Sequence, residues 1–111
     1  MDFSVRELDG GVAVVSLGGR LNMVSASRLR EAVASAVEDG HNRVVVDLAA
    51  VDFIDSSGLG ALISGLKSAR EAGGDLRLAS PNDQVKLVLQ LTNMDRVLAA
   101  YPSAEAAFAD D

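Results

Sequence analysis

Three consecutive valines, Val44 to Val46, constrain the fold of this 111-residue chain more than any other feature. They belong to the run RVVVDL at residues 43–48, in which polar and apolar residues do not alternate. A strand of this kind is buried on both faces, as in a sheet that helices cover. The chain is long enough to build one such core without disulfides or metals, so we expect a single domain over residues 1–111.

The first part of the chain predicts a hairpin and a helix. Residues 3–8 and 12–17 flank the tight turn DGG and are typical of two antiparallel strands, and GGRLN at 18–22 reads as a break. Apolar residues then recur at helical spacing after Ser25, which we interpret as the helix N-cap. Gly40 suits the position just past the end of this helix.

The second part repeats the alternation of strands and helices. A helix pattern follows the stretch VDFIDSSGLG, a short strand is predicted at 76–80, and SPNDQ starts a third helix. The last strand is predicted at 96–101, and a short terminal helix begins near Pro102. The order is ββαβαβαβα, which predicts an α/β domain with a mixed, mostly parallel central sheet, helices packed on it and one antiparallel edge.

Composition argues against several classes of function. The formal charge is −6 and no cluster of Lys and Arg is present, so we expect no direct binding of nucleic acid. No apolar run approaches the ~20 residues of a membrane span, and the acidic start MDFSVRELDG is not typical of a signal peptide. With no Cys and only His41, we expect no metal site, and a cytoplasmic location fits.

The stretch VDFIDSSGLG carries more than a turn requires. Either Asp55 or Ser56 suffices as a helix cap, which leaves Ser57 surplus, and Gly58 and Gly60 fall inside the first helical turn. Each of these glycines costs about 0.5–1 kcal/mol relative to Ala, but lets another backbone or a large ligand approach closely. The alternative interpretation is an ordinary cap followed by a flexible turn.

The position of Ser56 favours a modification site. In an α/β sheet, partners and ligands usually meet the fold at the carboxyl ends of the strands. A helix N-terminus has free N–H donors and partial positive charge, so a phosphate there would be tolerated. It would add about −1.5 to −2 charges beside Asp55, and so act on a docked partner while leaving the fold intact.

Catalytic interpretations fit the sequence less well. DSSGLG does not match the nucleophile elbow G-x-S-x-G, and His41 is predicted at the opposite end of the third strand, roughly 20 Å from the serines. No phosphate-binding loop of the P-loop or G-x-G-x-x-G type follows a strand. We therefore expect a non-enzymatic domain, with a serine hydrolase or small nucleotide hydrolase as an alternative that Ser56-dependent turnover would support.

Two helical stripes are open to more than one interpretation. Small residues of the second helix either pack closely against a neighbour or form a smooth docking face; they are Gly58, Ala61, Gly65, Ser68 and Ala72. In the third helix, Leu87, Leu91 and Met94 are expected mainly in the core, with Leu87 partly exposed.

The pattern D-[FI]-x-D-S-[ST]-G-[LI]-G is matched by DFIDSSGLG, with LGGRLN after the second strand and VKLVLQLTNMDRVL near the end. From about Phe3 to Phe108 the chain thus resembles the STAS domain, and specifically the anti-sigma factor antagonists of bacteria. The resemblance implies a regulator of transcription that binds an anti-sigma factor, itself a serine kinase, and so releases the sigma factor. That kinase phosphorylates the first serine of D-S-S-G, Ser56 here, and a PP2C-type phosphatase removes the phosphate.

The resemblance also implies which residues shape the turn and contact the kinase: Asp55, Ser57, Gly58, Leu59 and Gly60, with Asn22 nearby. ATP and magnesium belong to the kinase, so the chain itself needs no cofactor.

The chain departs from the family where many members carry G-E-L-D. Here Arg20 and Asn22 stand at the acidic positions, which can change the choice of partner or the efficiency of phosphorylation. A second interpretation keeps the fold but not the switch. In it the domain is a constitutive accessory subunit of a multiprotein complex such as a lipid-transport ATPase.

Overall fold

The computed structural model describes residues 3–109 of the chain. Strands and helices follow one another as the sequence predicts, up to a short 3-10 helix at Met94–Arg96. The elements are β1 (Phe3–Leu8), β2 (Val12–Leu21), α1 (Met23–Glu38), β3 (Arg43–Ile54), α2 (Ser56–Glu71), β4 (Asp75–Ala79), α3 (Asp83–Leu91) and β5 (Ala100–Tyr101).

The five strands form one mixed sheet in the order β1-β2-β3-β4-β5. β1 pairs antiparallel with β2, and β2, β3, β4 and β5 run parallel to one another. The predicted α/β fold with one antiparallel edge is therefore confirmed. Because β2 and β3 are parallel neighbours, the chain enters both α1 and α2 from the carboxyl ends of these strands. We call this row of strand ends the carboxyl edge of the sheet.

The three valines of β3 are fully buried, as their pattern predicts. Val44 and Val46 belong to the core beneath the helices, together with Leu29, Leu62 and other apolar residues. Val45 belongs to a second, smaller core on the opposite face of the sheet. The members of this second core include Val12, Val14, Ala79, Ala104, Ala107 and Phe108.

The chain segment that covers this second face of the sheet differs from the prediction. Residues 102–109 form a bend followed by turns over 104–109 instead of the expected terminal helix. Ala107 N–H donates to the Ala104 carbonyl, and Ala109 N–H to that of Ala106, both at 3.3 Å and at three-residue spacing. The segment is held by burial of its apolar residues on the sheet, so it does not need a regular helix.

Two strand boundaries also differ from prediction. β2 continues to Leu21 through the predicted break at 18–22, because β3 is long enough to pair with it as far as Ile54. Gly19 has a positive φ of 82°, and the register shifts on both sides of it, so its glycine conformation absorbs a bulge.

The last strand is much shorter than the predicted 96–101. Only Ala100 and Tyr101 pair with β4, while the preceding residues form the 3-10 helix and a turn. Leu98 lies in that turn and is buried in the main core. The apolar pattern of RVLAAY thus reflects burial of a turn as well as a strand.

The start of α1 is also earlier than predicted. Asn22, and not Ser25, is the N-cap, and Ser25 is the third helical residue of a capping box. None of the helices formed by residues 3–109 is long and apolar enough to cross a bilayer.

Candidate functional site

The stretch that contains Ser56 lies where two parallel strands end side by side. Leu21, the last residue of β2, is in register with Ile54, the last residue of β3. Asp55 N–H donates to the Leu21 carbonyl at 3.2 Å, which ties the two strand ends together. The N-termini of α1 and α2 therefore open at the same edge of the sheet, with Asn22 and Asp55 as their caps.

Asp55 is the cap of α2, which settles the choice that the sequence left between Asp55 and Ser56. Its backbone is extended, and its Oδ1 accepts the N–H of Gly58 at 3.0 Å. Since the cap position is taken, Ser56 becomes the first residue of the helix. Its hydroxyl is not needed to hold the turn, and the residue is exposed.

The four residues after Ser56 differ in their surroundings. Ser57 and Leu59 are half-buried, and Leu59 packs against the main core. Gly58 is buried, and a β-carbon there would lie 2.5 Å from the Leu21 carbonyl oxygen and 2.7 Å from Leu21 Cγ. The packing of α2 on β2 thus requires glycine at position 58. Because Gly58 is buried, it influences a docked partner only by setting the path of the backbone.

Gly60 has a different environment. A β-carbon at this position would meet one neighbouring atom, Nη2 of Arg30 on α1, at 3.5 Å, which is an ordinary contact. Nothing in the packing therefore demands glycine here, and the half-buried surface of Gly60 leaves the first turn of α2 open to approach.

Asn22 has a structural role at the start of α1. Its side-chain oxygen accepts the N–H groups of Val24 and Ser25, at 3.1 and 3.4 Å. Ser25 Oγ in turn accepts the N–H of Asn22 at 2.9 Å and donates to the Arg20 carbonyl at 2.7 Å. The Arg20 guanidinium lies 4.4 Å from the centre of the Phe53 ring, a cation–π contact that links the ends of β2 and β3.

Two exposed apolar residues lie next to this site. Met23 and Val24, the first residues of α1, expose 72% and 75% of their surface. The sequence pattern did not indicate them, because it placed the helix start at Ser25 and left both residues in a loop. A cap recognised at Asn22 would have placed them on the helix, at the edge that Ser56 shares.

The small-residue stripe of α2 packs inside the molecule over most of its length. Gly58, Ala61 and Gly65 are buried, and a β-carbon on Gly65 would lie 2.9 Å from Leu76 Cδ1. The docking-face interpretation is therefore wrong for these three residues. On α3, Leu87 is 52% exposed, as predicted. Leu91 was expected in the core, but it is 75% exposed, so that prediction is wrong.

His41 lies just before β3, at the end of that strand opposite to Ser56. Its Nε2 is 3.0 Å from Glu7 Oε1 on β1, and its Nδ1 is 3.3 Å from the Gly11 carbonyl oxygen. The imidazole is thus engaged at the other edge of the sheet and cannot serve as a base for Ser56.

The sheet order, the covering helices and the capped D-S-S-G turn define a small α/β domain with a mixed five-stranded sheet. The model of the STAS domain family matches residues 4–107, and the chain belongs to this family.

The relatives agree with that assignment. A Thermotoga maritima protein named as a candidate anti-sigma factor antagonist is 34% identical over 97 residues, which cover 86% of each chain. The crystal structure of a Thermotoga maritima protein of that description superposes with a TM-score of 0.84, at 33% identity, over 93% of this chain and 88% of that one. An anti-sigma factor antagonist from Mycobacterium paratuberculosis gives a TM-score of 0.83 at 29% identity, over 97% and 91%.

Proposed function

We propose that this domain is an anti-sigma factor antagonist that is switched off by phosphorylation of Ser56. The observation that carries the proposal is the exposed Ser56 at the first position of α2, in a turn that another residue already caps. The names of the relatives support the same role. The partner is an anti-sigma factor that is also a serine kinase, and it docks on the edge where α1 and α2 begin.

The docking edge combines polar and apolar surface. Met23 and Val24 offer exposed apolar side chains, and each contributes about 1.5–3 kcal/mol when a partner buries it fully. Gly60 leaves room for close approach of the partner backbone. The unmodified edge can therefore gain affinity from burial of apolar surface.

Phosphorylation changes the electrostatics of this edge more than its structure. The phosphate adds about −1.5 to −2 charges beside Asp55, in a chain whose formal charge is already −6. A partner that covers this group must strip water from it, and the desolvation penalty of a buried ion amounts to several kcal/mol. That penalty is at least as large as the gain from one buried apolar side chain, so the phosphorylated edge releases its partner.

The chemistry requires only a hydroxyl from this chain. Ser56 Oγ attacks the γ-phosphorus of ATP bound to the kinase, the new O–P bond replaces the bond to ADP, and a base of the kinase takes the hydroxyl proton. ATP and magnesium belong to the kinase. Water and a PP2C-type phosphatase then restore Ser56 and release inorganic phosphate.

The proposal is tested by capture of the partner from the native cells, with mass spectrometry of both the partner and the Ser56 peptide. Affinity for the recovered kinase is then measured by calorimetry for wild type, Ser56→Ala and Ser56→Asp. Ser56→Ala should bind as wild type and accept no phosphate. Ser56→Asp should lose about tenfold in affinity or more, equivalent to about 1.4 kcal/mol, with an unchanged Tm.

Ser35→Asp is the matched control, because Ser35 is exposed in the second half of α1, away from the docking edge. It carries the same change of charge and should keep wild-type affinity. Two results would overturn the proposal: a Ser56→Asp variant that binds as tightly as wild type, or a transporter ATPase as the partner with no phosphate on the Ser56 peptide. The second result would assign the domain as a constitutive accessory subunit.

A further inference from the structure

We infer that Arg30 of α1 is the receptor, within the same molecule, for the phosphate on Ser56. The inference rests on the proposed function, since it concerns the phosphorylated state of the same site. It assigns to the switch a residue that lies on another helix, 26 positions earlier in the sequence.

The geometry brings the two side chains to one surface. Ser56 and Gly60 are four residues apart on α2, so their β-carbon positions lie about 5–6 Å apart on the same face of the helix. Nη2 of Arg30 lies 3.5 Å from the β-carbon position of Gly60. The Arg30 Nη2 atom thus lies no more than about 9 Å from the Ser56 β-carbon, and Gly60 places no side chain between them.

No carboxylate of α1 stands three or four residues from Arg30. The residues three and four positions away are Ala26, Ser27, Val33 and Ala34, so no acidic side chain shares its face of α1. Within residues 3–109, none of the ion pairs involves Arg30, which is exposed. A flexible, charged fork of N–H donors thus lies one helical turn along α2 from Ser56 and can swing toward a phosphate there. Guanidinium binds phosphate with two parallel hydrogen bonds.

Other charged groups at this edge have defined positions. The Asp55 carboxylate accepts the Gly58 N–H and lies next to Ser56, so its charge disfavours the dianion and raises the phosphate pKa. The helix N-terminus favours the dianion. Arg20 lies over the Phe53 ring. Arg30 therefore supplies a mobile positive charge that offsets Asp55 and lowers the phosphate pKa.

This pairing has a consequence for the switch. In the unmodified domain, Arg30 is available to an acidic group on a partner at the docking edge. In the phosphorylated domain, the Arg30 guanidinium binds the phosphate of Ser56 and is no longer available to the partner. Phosphorylation then withdraws a cation from the edge in the same step in which it adds an anion.

The test uses full-length protein with phosphoserine incorporated at position 56 during synthesis. A ³¹P NMR titration at low ionic strength gives the second pKa of the phosphate, which is about 6 in an unperturbed phosphoserine. Arg30→Gln should raise this pKa by about half a unit, because an exposed pair contributes up to about 1 kcal/mol. The difference should shrink in 0.5 M salt, where the Debye length is about 4 Å.

Arg28→Gln is the matched control. Arg28 lies on the same helix, but its guanidinium is 4.7 Å from the centre of the Phe3 ring on β1. This variant should leave the phosphate pKa unchanged, and Arg30→Lys should recover part of the wild-type value. Equal pKa values for wild type and Arg30→Gln at low salt would overturn the inference.

The outcome is independent of the kinase. Phosphate is installed without it, so absence of a native kinase would sink the proposed function but leave this titration unaffected. Conversely, equal phosphate pKa values in wild type and Arg30→Gln would not change the affinity expected of Ser56→Asp for the kinase.

Discussion

The carbonyl oxygen of Leu21 lies 2.5 Å from the position that a β-carbon on Gly58 would occupy. The same oxygen accepts the N–H of Asp55 at 3.2 Å. The end of β2 thus fixes the first turn of α2 by a hydrogen bond and by close packing at once. The exposed position of Ser56 depends on this contact, because it holds the turn in which Ser56 begins the helix.

The two glycines of this turn should respond oppositely to the same substitution. Gly58→Ala drives a β-carbon into the Leu21 backbone and should lower the free energy of unfolding by about 1–3 kcal/mol. Gly60→Ala meets only the mobile end of Arg30 and should raise it by about 0.5–1 kcal/mol, through better helix propensity. Urea denaturation of both variants measures these changes. Equal effects would mean that the packing of Leu21 on α2 is not as described.

Much of this fold follows from local patterns in the sequence. The consecutive valines of β3 predict a strand covered on both faces, and all three are fully buried. The extension of β2 past Gly19 could not be predicted, because the glycine pair signals a break unless a long neighbouring strand pairs with it. The turns in residues 102–109 could not be predicted either. Their small apolar residues are typical of a helix, and their burial against the sheet depends on the tertiary structure.

In the candidate site, too, some features follow from local sequence and others from tertiary packing. Ser56 near a helix start is a local signal, although the sequence left open whether Asp55 or Ser56 is the cap. The approach of Arg30 to Gly60 is a contact between two helices, so it depends on how α1 packs against α2. The exposure of Leu91 depends on where α3 lies on the sheet, and a helical pattern alone cannot show which apolar residues lie at its rim.

The cap of α2 predicts a difference between two substitutions of Asp55. Asp55→Ala removes the acceptor of the Gly58 N–H and should cost about 1 kcal/mol of the free energy of unfolding. Asp55→Asn keeps an oxygen at the same position and should cost much less. Denaturation of both variants in parallel checks this. If Asn proved as destabilising as Ala, the charge of Asp55, and not its hydrogen bond, would hold the turn.

The cap of α1 allows a test of the departure from the family pattern. Asn22→Asp introduces a residue that many members carry and should leave stability nearly unchanged, because Asn and Asp cap helices equally well. Asn22→Ala loses the acceptor of the Val24 and Ser25 N–H groups, and should cost about 1 kcal/mol. Kinase affinity of the stable Asp variant then isolates the effect of charge at this position. An affinity equal to that of wild type would remove Asn22 from the determinants of partner choice.

The exposed apolar pair at the start of α1 should contribute to partner affinity and not to stability. Met23→Ser and Val24→Ser change side chains that are mostly in solvent, so the Tm of each variant should stay near that of wild type. If the partner covers these residues, each loses about 1.5–3 kcal/mol of apolar burial, which weakens binding by tenfold or more in calorimetry.

Leu91→Ser is the control for this pair. Leu91 is 75% exposed, as Val24 is, but it ends α3, about 12 Å along that helix from the edge where the helices begin. This variant should bind the kinase as wild type does. A loss of affinity in Leu91→Ser that equals the losses in the α1 variants would move the docking surface toward the end of α3. Unchanged affinity in both Met23→Ser and Val24→Ser would show that the partner does not cover the start of α1.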